Sequence, residues 1–200
     1  MKDSVKYWFI CFLASFFYGY EFLLRVIPSV LDTIIINKFI ISESNLGLIG
    51  SMYYFAYTPL QIFVGPIFDY FGIRKPLLMA ILFCIMGNLL FSGFHSYYII
   101  LLSRFIIGIG SAFAFIGVLK ISADYLPHKY FSIIAGVTTA IGLLGAITGQ
   151  YFFVQISKVI GYQLTLHFIS ILGVIIFLLL YLLIPKQESQ YNREGFNLIK

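Results

Sequence analysis

Long apolar runs follow one another along this chain, broken only by short polar stretches. A helix rises about 1.5 Å per residue, so roughly 20 mainly apolar residues cross a hydrocarbon core. Six segments reach that length, at about 7–31, 46–68, 76–94, 97–121, 130–154 and 164–184. The pattern predicts an all-α integral membrane bundle of six transmembrane helices over residues 1–185. Residues 186–200 are polar and mixed in charge, and read as a cytoplasmic tail or the start of a linker.

Proline punctuates the pattern. Pro76 sits where a helix opens, Pro127 falls in a loop and Pro185 closes the last segment. Pro28, Pro59 and Pro66 lie inside or near the ends of helices, where they would kink them.

Composition agrees with a lipid solvent. Hydrophobic residues make up 60% of the chain and charged ones 10%, against roughly 45–50% and about 25% in soluble domains. The net charge of +5 does not gather into a basic stripe interleaved with aromatics, so it does not fit nucleic-acid binding. The basic residues instead lie between apolar runs. With the N-terminus inside, Lys2, Lys6, Arg74, Lys75, Lys129, Lys186, Arg193 and Lys200 fall on one side, joined by Lys120 near a helix end. Lys38 and Lys158 fall on the other. The bias places both termini in the cytoplasm, as expected of a multi-pass protein of the cell (inner) membrane.

The first run follows Lys2 and Lys6 as a signal peptide would. It is too long for one, carries Glu21 and Arg25, and lacks a small-residue cleavage site, so it reads as a retained helix. Cys11 and Cys84 fall in different apolar runs and read as small buried hydrophobes. His95, His128 and His167 are scattered. No metal-ligand spacing, phosphate-cradling loop or hydrolase, kinase or redox motif is present, so neither a cofactor nor an enzymatic activity is expected.

The first segment carries the charges most in need of explanation. Glu21 and Arg25 are four residues apart, share a helix face and can neutralise each other, with Tyr18 nearby. A charged pair turned to lipid would be costly, so this face should look into a water-filled cavity. One reading has Arg25 binding an anionic group and Glu21 a cation or proton; the other is a self-satisfied structural pair. Tyr53, Tyr54, Tyr57 and Gln61 in the second segment could add polar contacts, or could simply pack.

Three motifs stand in order along the chain. Between the second and third segments runs Gly65-Pro66-Ile67-Phe68-Asp69-Tyr70-Phe71-Gly72-Ile73-Arg74-Lys75. Arg104 lies inside the fourth segment ahead of Gly108 and Gly110, and it must either face a partner or snorkel to the interface. Asp124 then precedes Pro127 and Lys129. Together these resemble the N-terminal half of a major facilitator superfamily secondary transporter, with Tyr70 departing from the basic residue usual after the aspartate.

The resemblance implies two inverted three-helix repeats per half and twelve helices in all. This chain would supply one half, its partner being a missing C-terminal half or a second copy; a fragment is the favoured of the two expectations. It also implies a gating and charge cluster of Gly65, Asp69, Gly72, Arg74, Arg104 and Asp124, with Asp124 paired to Arg74 at the inner face. A substrate site would form near the bilayer midplane from Tyr18, Glu21, Arg25, Tyr54 and Tyr57. The Arg25-Val26 stretch is loosely similar to the first helix of the organic anion symporter branch, where an acidic residue and an arginine also occur at a different spacing.

In the fifth segment, Gly145 and Gly149 have the spacing that lets helices approach closely. That segment lacks the proline of the antiporter branch, which leans toward a symporter or uniporter. The expected function is alternating-access transport of a small solute, an organic anion or short peptide; the alternative is a non-transporting fragment or an assembling module.

Overall fold

The computed structural model describes residues 2–93 and 96–185, and within them the chain is helical throughout. The tail expected at 186–200, His95 and the end of the third segment at Phe94 lie outside the described residues. The helices are α1 (Lys2–Val30), α2 (Asp32–Phe39), α3 (Glu43–Phe71), α4 (Arg74–Gly93), α5 (Tyr97–Tyr125), α6 (Phe131–Ile160) and α7 (Tyr162–Leu183). A 3₁₀ turn, His128–Tyr130, follows Pro127 and leads into α6.

α2 was not foreseen. Its 8 residues are too few to cross a membrane, so no apolar run of the right length marks it. It forms because Leu31 and Ile35 find buried places at one end of the bundle, beside Phe91 and Ile100. Each long helix otherwise runs a few residues past its prediction at one end at least.

Helix ends follow local chemistry. The Ser42 side chain caps α3 by accepting from the Asn45 backbone N–H at 3.4 Å. α3 stops at Gly72, whose φ of 73° is open to glycine and strained for other residues. Gly72 therefore makes the turn expected of it. Gly65 does not; it lies inside α3 with open space beside it.

α5 is the central element, packing on α1, α3, α4 and α6, and α1 packs in turn on α6 and α7. Small residues set these distances. A Cβ on Gly108 would run into the Tyr53 carbonyl of α3, and one on Gly110 into the Ala80 carbonyl of α4. Close approach of that kind suits helices in lipid, where packing replaces the hydrophobic effect. Polar side chains join helices where they are buried. Ser15 and Thr138 meet at 2.9 Å between α1 and α6, and Asn88 Nδ2 donates to Leu166 O and Ser170 Oγ of α7, each at 2.8 Å. Cys11 and Cys84 are both buried and unbridged.

The outside of the bundle is apolar, with Phe9, Phe16, Phe63, Ile147 and Leu182 among the exposed side chains. A surface of this character does not suit water. Among the described residues, five helices are long and apolar enough to cross a membrane: Val5–Val30, Arg74–Gly93, Tyr97–Tyr125, His128–Ile160 and Tyr162–Leu183. α3 is long enough, at 29 residues, but Tyr53, Tyr54, Tyr57, Thr58 and Gln61 dilute its apolar character.

Two glycine substitutions test the packing. Gly110→Ala is expected to destabilise the bundle by about 1–3 kcal/mol through overpacking. Gly65→Ala, with nothing in its way, should be neutral or stabilising by up to about 1 kcal/mol. Thermal unfolding of the two variants in detergent separates them; equal midpoints would contradict the close approach.

Candidate functional site

The polar centre of the bundle is built around a carboxylate. Glu21 of α1 is fully buried, and both its oxygens are bonded. Arg25 Nη2, one turn further along the same helix, donates to Oε1 at 2.9 Å and to Oε2 at 3.2 Å. The Tyr53 hydroxyl of α3 donates to Oε2 at 2.9 Å and accepts from Arg25 Nε at 3.0 Å. The three side chains close a triangle in which the tyrosine hydroxyl serves acid and base together. This is the form in which a buried ion pair is tolerable, since the remaining lone pairs and protons are satisfied.

Aromatic rings surround the pair. The Arg25 guanidinium lies 4.2 Å from the Phe22 ring centroid and 5.1 Å from those of Tyr53 and Tyr57. These are cation–π distances, which favour a charge held away from water. Tyr57 stacks on Tyr53 with centroids 5.5 Å apart. Tyr18 packs against Phe22 at 4.7 Å and Phe115 at 5.2 Å. Arg25 keeps 19% of its side chain exposed, whereas Glu21 behind it has none.

Arg104 does not snorkel. It is buried and reaches from α5 to the backbone of α1, donating Nη1 to Leu24 O at 2.8 Å and Nη2 to Arg25 O at 3.1 Å. Its guanidinium also lies 5.3 Å from the Tyr53 ring centroid. Arg104 therefore belongs with the Glu21 site. The expectation that grouped it with the α3–α4 turn is corrected, because both ends of its fork are spent on α1 carbonyls and its face lies against a tyrosine.

The turn end of the bundle holds a second set of charges. Lys120 Nζ lies 2.9 Å from Asp69 Oδ1 and 3.3 Å from Asp124 Oδ1, tying α3 to the last turns of α5. The expected pair of Asp124 with Arg74 is replaced by this bridge. Lys120 and Asp124 are one turn apart on one helix and face the same way. Arg74 points elsewhere, donating Nη2 to Tyr181 O of α7 at 2.8 Å with its guanidinium 4.8 Å from the Tyr181 ring.

Of the predicted binding residues, Glu21, Arg25, Tyr57 and Tyr18 come together. Tyr54 stays at the edge, half-exposed and touching Tyr53 side-on at 5.0 Å. Lys120 was missed as a site residue, and Tyr53 was offered only as a possible polar contact and not among the binding residues. Tyr53 was legible in principle, since Tyr53, Tyr57 and Gln61 recur at one-turn spacing while Tyr54 is rotated off that face. A groove of 660 Å³ between α1, α6 and α7 is lined by apolar residues such as Phe12, Leu23 and Phe152 and includes neither Glu21 nor Arg25.

Comparison with known proteins locates the chain. Residues 7–197 match the Major Facilitator Superfamily. The chain is 29% identical over 151 residues to "Probable anion transporter 7" of Oryza sativa subsp. japonica, covering 75% of this chain and 34% of that protein. It is 30% identical over 125 residues to "Probable sulfoacetate transporter SauU" of Cupriavidus necator, covering 62% and 29%. It is 29% identical over 120 residues to "Uncharacterized transporter YybO" of Bacillus subtilis, covering 60% and 28%. The matched stretches thus span about a third of these relatives' length.

Tyr53→Phe keeps the ring and removes the hydroxyl shared by Glu21 and Arg25. It should cost about 1–3 kcal/mol by leaving a buried charge short of a donor, whereas Tyr54→Phe should change little. Midpoints of thermal unfolding for the two purified variants check this; a silent Tyr53→Phe would remove the triangle from the account.

Proposed function

Because this chain belongs to the major facilitator superfamily, we propose that it forms one half of a secondary transporter moving a small organic anion or short peptide by alternating access. It is a multi-pass integral membrane protein of a family of transporters, not of enzymes. The observation that carries the proposal is the asymmetry of the central pair, with a partly exposed Arg25 in front of a sealed Glu21. An arriving anion meets the guanidinium first. By competing for it, the anion loosens the hold on Glu21 and frees a carboxylate to take a proton or cation, which is the logic of a symporter. Tyr18, Tyr57 and, at the rim, Tyr54 are the site's further contacts. The names of two relatives, an anion transporter and a sulfoacetate transporter, support an anionic solute.

The bundle is read as six spans in two inverted repeats, α1–α3–α4 and α5–α6–α7. Support comes from the packing, in which exchanging the triplets turns the α1–α6 contact into α5–α3 and α4–α5 into α7–α1. Residues 1–185 form this unit. Both termini are assigned to the cytoplasm, so the Asp69–Lys120–Asp124 bridge latches the inner end. The pathway is completed by a C-terminal half or a second copy. Support for a covering partner comes from exposed polar and small positions on two helices, Ser51, Tyr54 and Thr58 on α3 and Ser132, Gly136, Thr139 and Gln150 on α6.

Proteoliposomes holding the assembled transporter, offered a panel of labelled organic anions and dipeptides, test the reading. Arg25→Gln should reduce saturable uptake by at least about tenfold, as loss of a charged contact to substrate would, with membrane abundance unchanged. Abundance falling in step with uptake would make the pair structural. A purified 200-residue chain that is monomeric and inert would assign it the role of a fragment awaiting its other half.

A further inference from the structure

Lipid offers no water to a backbone carbonyl that has lost its partner, so the protein must supply a donor. Pro28 creates such a carbonyl in α1. The N–H of the residue at position 28 would bond Leu24 O, four residues back, and proline has none. The donor that reaches Leu24 O is Arg104 Nη1 at 2.8 Å, while Nη2 takes the next carbonyl, Arg25 O, at 3.1 Å. We propose that Arg104 is a positioning residue that stands in for the N–H missing at Pro28, clamping that turn of α1 so that the Arg25 side chain is held against Glu21.

Three observations converge on this assignment. Arg104 is buried and its ends are spent on backbone, so it has no free edge for a solute, and its Nε has no hydrogen-bond partner. The clamped carbonyls belong to Arg25 itself and its neighbour, so any slip of the turn moves that guanidinium. The arrangement also recurs at the other end of the bundle. Arg74 Nη2 donates to Tyr181 O at 2.8 Å, and Pro185 stands four residues beyond Tyr181. At the end of α7 the Tyr181 carbonyl, one of the last four of that helix and so without a helical partner, is likewise met by an arginine from another helix. A lysine could not replace Arg104 fully, since one ammonium does not span two successive carbonyls as a guanidinium fork does.

The functional meaning of the clamp rests on the reading of Arg25 as the solute-binding group, but its test does not. Phenylglyoxal modifies accessible guanidinium groups, and peptide mass spectrometry gives its rate at Arg25 in the 200-residue chain held in nanodiscs. Arg104→Met should speed modification of Arg25 by about threefold or more, and Pro28→Ala alone should leave it near the wild-type rate. The double variant Pro28→Ala/Arg104→Met should return to within about twofold of wild type, because an alanine N–H closes Leu24 O inside α1, a coupling of the kind a double-mutant cycle detects. A wild-type rate in Arg104→Met, or a double variant as fast as the single, would overturn the clamp. If Arg104→Met does not fold, recovery of monodisperse protein in the double variant supports the clamp and no recovery overturns it. Labelling needs no transport, so saturable uptake that survives in Arg25→Gln would remove the solute reading and leave the clamp to its own result.

Discussion

A carboxylate sealed inside an apolar bundle must be met by donors on every side, and much of this molecule's interior is arranged around meeting Glu21. Arg25 comes from the same helix and costs nothing in topology. Tyr53 must come from α3, and it arrives because Gly108 lets α5 and α3 close up at the Tyr53 carbonyl. Arg104 then takes the underside of the Tyr53 ring and the carbonyls of the turn that carries Arg25. Each contact depends on the one before it, so the centre behaves as a network and its members are not independent.

The two charged regions divide the work between them. The Glu21 triangle lies well inside the bundle and has a single partly open edge at Arg25. The Asp69–Lys120–Asp124 bridge lies at a helix end, where its groups are partly in water and individually worth little. α5 carries Arg104 to the first and both Lys120 and Asp124 to the second. A displacement of α5 would therefore be felt in both regions, which is the coupling that the proposed alternating access requires between the proposed solute site and gate.

Backbone chemistry in lipid explains features that side chains do not. Proline and glycine are costly in water-soluble helices, yet this chain uses them throughout its spans. Glycine brings α5 to its neighbours at backbone distance. Proline leaves Leu24 O without its helical donor, the last turn of α7 leaves Tyr181 O open, and the two carbonyls become docking points for Arg104 and Arg74.

The sequence by itself determined the class, an all-α bundle of membrane-spanning helices, because length and apolarity of a segment are local quantities and the bilayer reads them locally. It also supplied the Glu21–Arg25 pair and the turn at Gly72, since one-turn spacing and glycine's backbone freedom are properties of neighbours along the chain. It left α2 unseen, because a helix too short to span has no apolar run to announce it. Only the tertiary structure chose Tyr53 over Tyr54, Lys120 over Arg74 as the partner of Asp124, and the α1 backbone over the interface as the resting place of Arg104. Those choices depend on which helix faces meet and how closely, and helices in lipid are brought together by fit between distant segments, a quantity no stretch of sequence contains.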